Sequence, residues 1–462
     1  MINIDKLPTR MAALGGLFDT LPVEILGEIF KHCLPSEIKD FFIPSMKEAP
    51  LLLCRICVRW RWVAMNMPVL WSSFSAQPSR AQDAPPYVPL MKFFLGLSRP
   101  SPLSFNIYAA NPEQRNLVKQ SFPLFLYEVH RWYDVTLHFN DTLCEQYLEA
   151  PLGDDSMLES LCFNTSNCTD TQARRIPATL KKFPRLRRLK IGRIPTASLH
   201  EIPWSQLTDV RINTALPLEE CVNILSECSN MVTGNFSHIT PPHGTIKTHK
   251  IILLALTRLE LCSICDVGRI LAHLTCSVLT YLSVNHMICT WDTARDLEAF
   301  YDFLIRSTCQ LETFRLLDEG ITEPNVIQYL SAPGMQKLKS LELHGLGISV
   351  KALTMFKYDA GDKTPPFMPL LETMQFDVEE VPDNLFSDVV ASRFNSNVIT
   401  ETTPTKRPVS LKYIHARFRR RCRETSRNIF NSDVLRSEHV SDEKRFEEFM
   451  RQGLRVAIRF GG

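Results

Sequence analysis

Beyond about residue 130 the chain keeps returning to one pattern: an apolar residue, two free positions, a second apolar residue, one free position and a third. Clear copies are Leu158/Leu161/Phe163, Leu186/Leu189/Ile191, Leu207/Val210/Ile212, Leu256/Leu259/Leu261, Leu279/Leu282/Val284, Leu311/Phe314/Leu316, Leu338/Leu341/Leu343 and Leu371/Met374/Phe376. Weaker copies stand at Trp132/Val135/Leu137, Met231/Gly234/Phe236 and Leu411/Tyr413/Ile414. From Trp132 to Leu371 their starts lie 21 to 33 residues apart, the spacing of units that pair one strand with one helix or turn. Helix-like stretches precede strands at 173–182, 218–228, 266–274, 294–308 and 324–330. One such unit cannot bury its own apolar face, so the pattern predicts stacked units forming a curved solenoid with a shared core.

Strand alternation turns the residue between the second and third apolar positions away from that core. Those residues are Lys190, Arg211, Glu260, Ser283, Arg315, Glu342 and Gln375, with Arg188, Arg258 and Lys339 beside them. The row is the candidate substrate-binding face, a mixed-charge surface for a protein partner. A solvated sheet face without a ligand is the alternative.

The front of the chain has a helical period instead. Asp19 or Thr20 is placed to cap a helix, Pro22 suits its start, and Glu24 puts negative charge at its positive end. Leu26, Ile29, Phe30 and Cys33 follow at helical spacing before Leu34-Pro35. A second helix is predicted after Pro50, running through Leu51, Leu52, Leu53, Cys54, Cys57, Val58, Trp60, Trp62 and Val63 to Met67-Pro68, with Val69-Leu70-Trp71 beyond. So wide an apolar belt needs covering from more than one side.

Three stretches occur here in order over about 50 residues: Leu21-Pro22-x-Glu24-Ile25-Leu26-x-x-Ile29-Phe30, Leu53-Cys54-x-x-Cys57-x-Arg59-Trp60-x-x-x-Ala64, and Pro68-x-Leu70-Trp71. Together they resemble an F-box, particularly the divergent F-box-like version of mushroom-forming fungi. The resemblance implies a small helical bundle that docks on a Skp-type adaptor, which links to a cullin scaffold and hence to ubiquitin transfer. It implies Leu21, Pro22, Ile25, Leu26, Ile29, Phe30, Leu53, Val58 and Trp71 as the adaptor-binding residues. An insert at 36–47 departs from the motif. Divergent leucine-rich repeats behind the F-box belong to the same resemblance. Regular repeats carry Asn or Cys three residues past the last strand position, where this chain has Ile194, Ala215, Ile264, Met287 and Leu346. The solenoid is therefore expected to be irregular.

Composition adds a tilt toward scaffold: of 462 residues only 17 are Gly and 30 are Pro, so glycine loops are scarce and helix stops plentiful. Net charge is +2, but residues 401–462 hold 15 Lys and Arg against 8 Asp and Glu, a local +7. The sharpest cluster is Arg417-Phe418-Arg419-Arg420-Arg421-Cys422-Arg423, readable as a phosphate contact, a nuclear address or a solvated face. The 14 cysteines are spread along the chain with no secretory pattern after Met1, and no apolar run reaches the ~20 residues of a membrane span. An intracellular, cytoplasmic or nuclear protein without a membrane partner is expected.

Cys262, Cys265, His273, Cys276, His286 and Cys289 superficially resemble a zinc set, and Cys54-x-x-Cys57 a redox pair. Zinc requires four converging ligands, whereas the repeats distribute these side chains along a stack. No Walker loop, dinucleotide fingerprint, nucleophile elbow or His-Glu-x-x-His occurs. The sequence thus predicts an α/β protein: a leader at 1–17, an F-box-like helical bundle at 18–74, a connecting region at 75–130, and a curved, irregular leucine-rich-repeat solenoid at 131–462. A cap at its C-terminal end is predicted from a helix at 443–452, with Phe446, Phe449 and Met450 inward, followed by the alternation Leu454/Val456/Ile458. No catalytic residue, metal or cofactor is expected. The expected role is the substrate-recognition adaptor of a cullin-based ubiquitin ligase. A repeat scaffold without ubiquitin transfer is the alternative, and nucleic-acid association through Arg417–Arg423 a weaker one.

Overall fold

The computed structural model describes residues 21–34, 42–78, 86–109, 111–153, 155–244, 250–287, 296–318, 322–359, 365–379, 381–394, 408–419 and 432–461. The leader, the capping candidates Asp19 and Thr20, Cys289, residues 36–41 of the insert and Arg420–Arg423 lie outside them. The chain forms two compact units, 1–214 and 215–462.

The first unit opens with α1 (Val23–His32), which carries Glu24 in its first turn and Lys31 and His32 in its last, the arrangement its dipole favours. The apolar stretch after Pro50 is not one helix. A tight turn at Leu53–Arg55 precedes α2 (Val58–Met65), because Cys57 adopts an extended backbone and its sulfur accepts the Trp60 N–H at 3.4 Å. There follow β1 (Ser73–Ser75), α3 (Tyr87–Leu97), β2 (Leu103–Ile107), α4 (Pro112–Tyr127), β3 (Trp132–Asn140), α5 (Asp141–Glu149), β4 (Ser160–Asn167), α6 (Asp170–Ala173), α7 (Ile176–Thr179), β5 (Arg188–Ile191) and β6 (Asp209–Ile212). These six strands pair in chain order, all parallel. The sheet thus already has two strands ahead of residue 131. The helix expected at 173–182 is broken into α6, α7 and a tight turn, with Pro177 at the start of α7.

The second unit contains β7 (Leu216–Pro217), α8 (Leu218–Glu227), β8 (Thr233–Thr240), β9 (Ile251–Ile252), β10 (Arg258–Ser263), α9 (Gly268–Leu271), β11 (Leu274–Thr275), β12 (Tyr281–His286), α10 (Leu297–Ser307), β13 (Thr313–Asp318) and α11 (Glu323–Leu330). It continues with β14 (Ser340–Ile348), α12 (Val350–Thr354), β15 (Thr373–Glu379), α13 (Leu385–Arg393), β16 (Tyr413–Arg419), α14 (Ser432–Glu438), α15 (Val440–Arg451) and β17 (Arg455–Phe460). Its main sheet runs β8-β10-β12-β13-β14-β15-β16-β17, again all parallel, while β9 and β11 pair separately.

Register explains why the repeats are so regular. Leu259, Leu282, Phe314, Leu341, Met374 and Ile414 stand side by side in one row, and Leu261, Val284, Leu316, Leu343, Phe376 and Ala416 in the next. All are buried. Each repeat thus contributes two rungs to a core that only its neighbours complete, and a sequential parallel sheet with flanking helices results. At the C-terminal end, α15 buries Phe446 and Phe449 as expected, but Met450 faces solvent on the helix shoulder. Among the described residues no helix is long and apolar enough to cross a membrane.

Candidate functional site

In the helical module the motif residues divide into two groups. Leu26, Phe30, Leu53 and Trp71 are buried, Trp71 in part against α3, which follows the module. Phe30 packs on Trp60 with ring centroids 5.0 Å apart, and Trp71 meets Phe93 and Phe94 edge-on while its indole N–H donates to the Ala64 carbonyl at 2.8 Å. Their apolar surface is already spent on intramolecular contacts. Pro22, Ile25 and Val58 point outward, Val58 with 72% of its surface exposed, and Leu21 and Ile29 are half-buried.

The adaptor-binding residues implied by the motif leave out one large outward side chain. Trp62 is 60% exposed one helical turn after Val58, so the two share a face of α2. Arg59 donates to the Leu21 carbonyl and so fastens the start of α2 to the turn before α1. Nearby, Cys33, Leu34, Glu48, Ala49, Leu52, Leu53, Ile56 and Trp60 line an open cavity of about 660 Å³. Leu52 and Ile56 are over a third exposed at its wall. Burying a side chain of the size of Leu or Phe yields ~1.5–3 kcal/mol, so this surface carries a substantial unused gain for whatever covers it.

The strand face is ordered as alternation requires. Lys190 stands opposite Arg211, and Glu260, Ser283, Arg315, Glu342 and Gln375 form one unbroken register row. Ser283 is the exception to exposure: its short side chain sits between the longer Glu260 and Arg315 and is buried. Much of the charge is neutralised within the sheet. Arg188 pairs with Asp134 at 3.9 Å, Arg211 with Asp209 at 3.1 Å, Arg258 with Glu260 at 2.5 Å, Arg315 with Glu342 at 3.3 Å and Lys339 with Glu312 at 2.8 Å. Arg258 also lies over the Tyr281 ring, 3.5 Å from its centroid. Exposed pairs of this kind are worth ~0–1 kcal/mol each, so a partner can exchange them at little cost.

Four other arrangements invite a chemical reading. Ser263, His286 and Asp318 stand in register across β10, β12 and β13 like a hydrolytic triad, with His286 Nδ1 2.9 Å from Asp318 Oδ2. The Ser263 hydroxyl instead donates to the Cys265 carbonyl at 2.7 Å, His286 Nε2 has no hydrogen-bond partner, and all three are inside the core. A nucleophile needs both that missing bond and access for a substrate.

Asp383, His439 and Asp442 offer ligand atoms within 4.8 Å of one another, the one such group among the described residues. Their geometry has another explanation. Asp383 accepts the N–H of Ser441 and of Asp442 at the start of α15 (3.1 and 2.9 Å), Asp442 accepts the N–H of Ser387 in α13 (3.0 Å), and His439 contacts Asp442 at 3.1 Å. Two helix N-termini are thus capped reciprocally, and their dipoles favour the carboxylates over a cation. Of the six zinc-like residues, Cys265 packs its sulfur 3.3 Å from the Ser263 hydroxyl, and Cys276 is buried with its thiol pushed up to about 12. Burial likewise pushes the Cys54 thiol up to about 11, which suppresses thiolate chemistry at Cys54.

No family model matches the chain, and no curated protein matches it. Among solved structures, a structural-genomics target from Bacteroides fragilis matches with 14% identity over 68% of each chain and a TM-score of 0.31.

Proposed function

We propose that the chain is a protein-recognition adaptor whose helical module docks on a Skp-type adaptor while its strand face holds a protein substrate for ubiquitination. The sequential parallel sheet with flanking helices is compatible with a protein–protein interaction scaffold, and the finer assignment draws on the F-box-like motif. The observation that carries it is the outward apolar surface of the helical module: Ile25, Val58 and Trp62 are exposed, and the same module holds an open cavity of about 660 Å³ walled by Leu52 and Ile56. A module that served only to cap the sheet would have no need to present it. Catalysis would reside in the partners, with this chain supplying proximity, which converts a bimolecular transfer into an effectively intramolecular one.

A scaffold without ubiquitin transfer is the second reading, favoured by the burial of Leu26, Phe30, Leu53 and Trp71, which lets the motif be explained by folding alone. Mixing the full chain with purified Skp-type adaptor and cullin separates the two on a sizing column. Co-elution of all three, lost on replacing Leu21 and Pro22 by Ala, is the expected result. Separate elution, or assembly indifferent to the substitutions, removes the ligase reading and leaves the scaffold.

A further inference from the structure

The second unit does not balance its charge everywhere. Arg258, Arg315, Lys339 and Lys412 each have a carboxylate partner, the last with Glu372 at 2.7 Å. At the end of the sheet this stops. Arg417 of β16 stands directly opposite Arg459 of β17 in register, and neither has an acidic partner among the described residues. The carboxylate in the same row, Asp377, is buried and engaged elsewhere: with Arg419 at 3.1 Å, with the Gly345 N–H at 2.9 Å, and with His344 at 3.5 Å. Glu379 stands opposite Arg419, not Arg417. Arg455 is exposed on the same face two alternations before Arg459, also without an acidic partner among the described residues.

Like charges directly opposite on neighbouring strands are unfavourable. Cations on an edge strand do discourage edge-to-edge aggregation, and that would account for Arg455 and Arg459 on β17. It does not account for Arg417, which lies on the strand before the edge. By composition the flanking segments are poor in acidic residues: 395–407 contain one, Glu401, and 420–431 contain one, Glu424. The outer edge of β17 has no strand paired to it among the described residues, so main-chain donors and acceptors accompany the arginines there.

We infer that the outward face of β16 and β17, centred on Arg417 and Arg459, is a docking surface for an extended acidic segment of a partner protein. The inference stands without the Skp-type docking proposed above, because it concerns the other unit and a different ligand. An extended chain with alternate carboxylates matches two guanidinium groups one strand apart and can use the open edge at the same time.

The test uses the full chain and a fluorescein-labelled peptide of alternating Glu and Ser, read by anisotropy, beside the Gln-for-Glu peptide and a single-stranded oligothymidylate of equal length. The Glu peptide is expected to bind, the Gln peptide not, and binding to weaken roughly tenfold or more in Arg417→Gln/Arg459→Gln. The same variant is expected to melt at the wild-type temperature or above it, because a like-charge pair has been removed. The proposal is overturned if the Glu peptide does not bind, if binding ignores both substitutions, or if the oligothymidylate binds more tightly through the same arginines. It also falls if the variant self-associates while still binding the peptide, which would make the arginines edge protection only.

Discussion

Trp71 and Val58 show how differently two residues of one motif work. Trp71 is fully buried against Phe93 and Phe94 with its N–H satisfied, so Trp71→Ala opens a cavity and is expected to cost about 3–5 kcal/mol in urea unfolding. Val58 touches mainly solvent, and Val58→Ala is expected to stay within about 0.5 kcal/mol of wild type. If both variants unfolded alike, the division of the motif into internal and outward residues would be wrong. Sequence alone did not separate them, because the stretch from Leu51 to Trp71 is apolar on nearly every side and period gives no preferred face. Trp62 was legible as the residue one turn after Val58, yet only its exposure marks it as part of the surface.

Elements were most legible where three apolar residues had to line up. The second and third positions of every triplet from Trp132 to Leu371 fall on a strand, since they supply rungs that their neighbours must match, whereas the copy read at Leu411/Tyr413/Ile414 is phased differently: Ile414 and Ala416 carry its rungs and Tyr413 is on the other face. β1 was missed because Ser73-Phe74-Ser75 has one apolar residue. β2 alternates as Leu103, Phe105 and Ile107, but in register with Val135 and Leu137 its first triplet position, three residues before Phe105, is Pro102. The reciprocal caps between α13 and α15 join residues 383 and 442, too far apart in sequence for any local pattern to find. Asp383→Ala is expected to cost about 1 kcal/mol at pH 7. Burial raises the Asp383 carboxyl, but the amide of Asp442, the Ser441 side chain and the amides of Ser441 and Asn384 outweigh it and hold the group below its ordinary value. Its contribution is therefore present above the unfolded value of about 3.9 and is lost as pH falls through the lower folded value. In urea melts over a pH series, the gap between wild type and variant should close in that acid range. A gap constant with pH would mean that the carboxylate charge is not what stabilises the two helix starts.

On the scale of the molecule, the two units present different chemistries to partners. The first offers apolar surface on a helical module, and the second offers a charged sheet face that is neutralised along most of its length and cationic at its last two strands. That contrast underlies the adaptor reading: apolar burial holds a constant partner, and exchangeable or unmatched charges select a variable one. The most direct measurement is calorimetric titration of purified Skp-type adaptor with the full chain and with a Val58→Glu/Trp62→Glu variant whose unfolding midpoint equals that of wild type. The account predicts saturable one-to-one binding by the wild type and none by the variant. Absence of binding by the wild type, or equal binding by both, contradicts it.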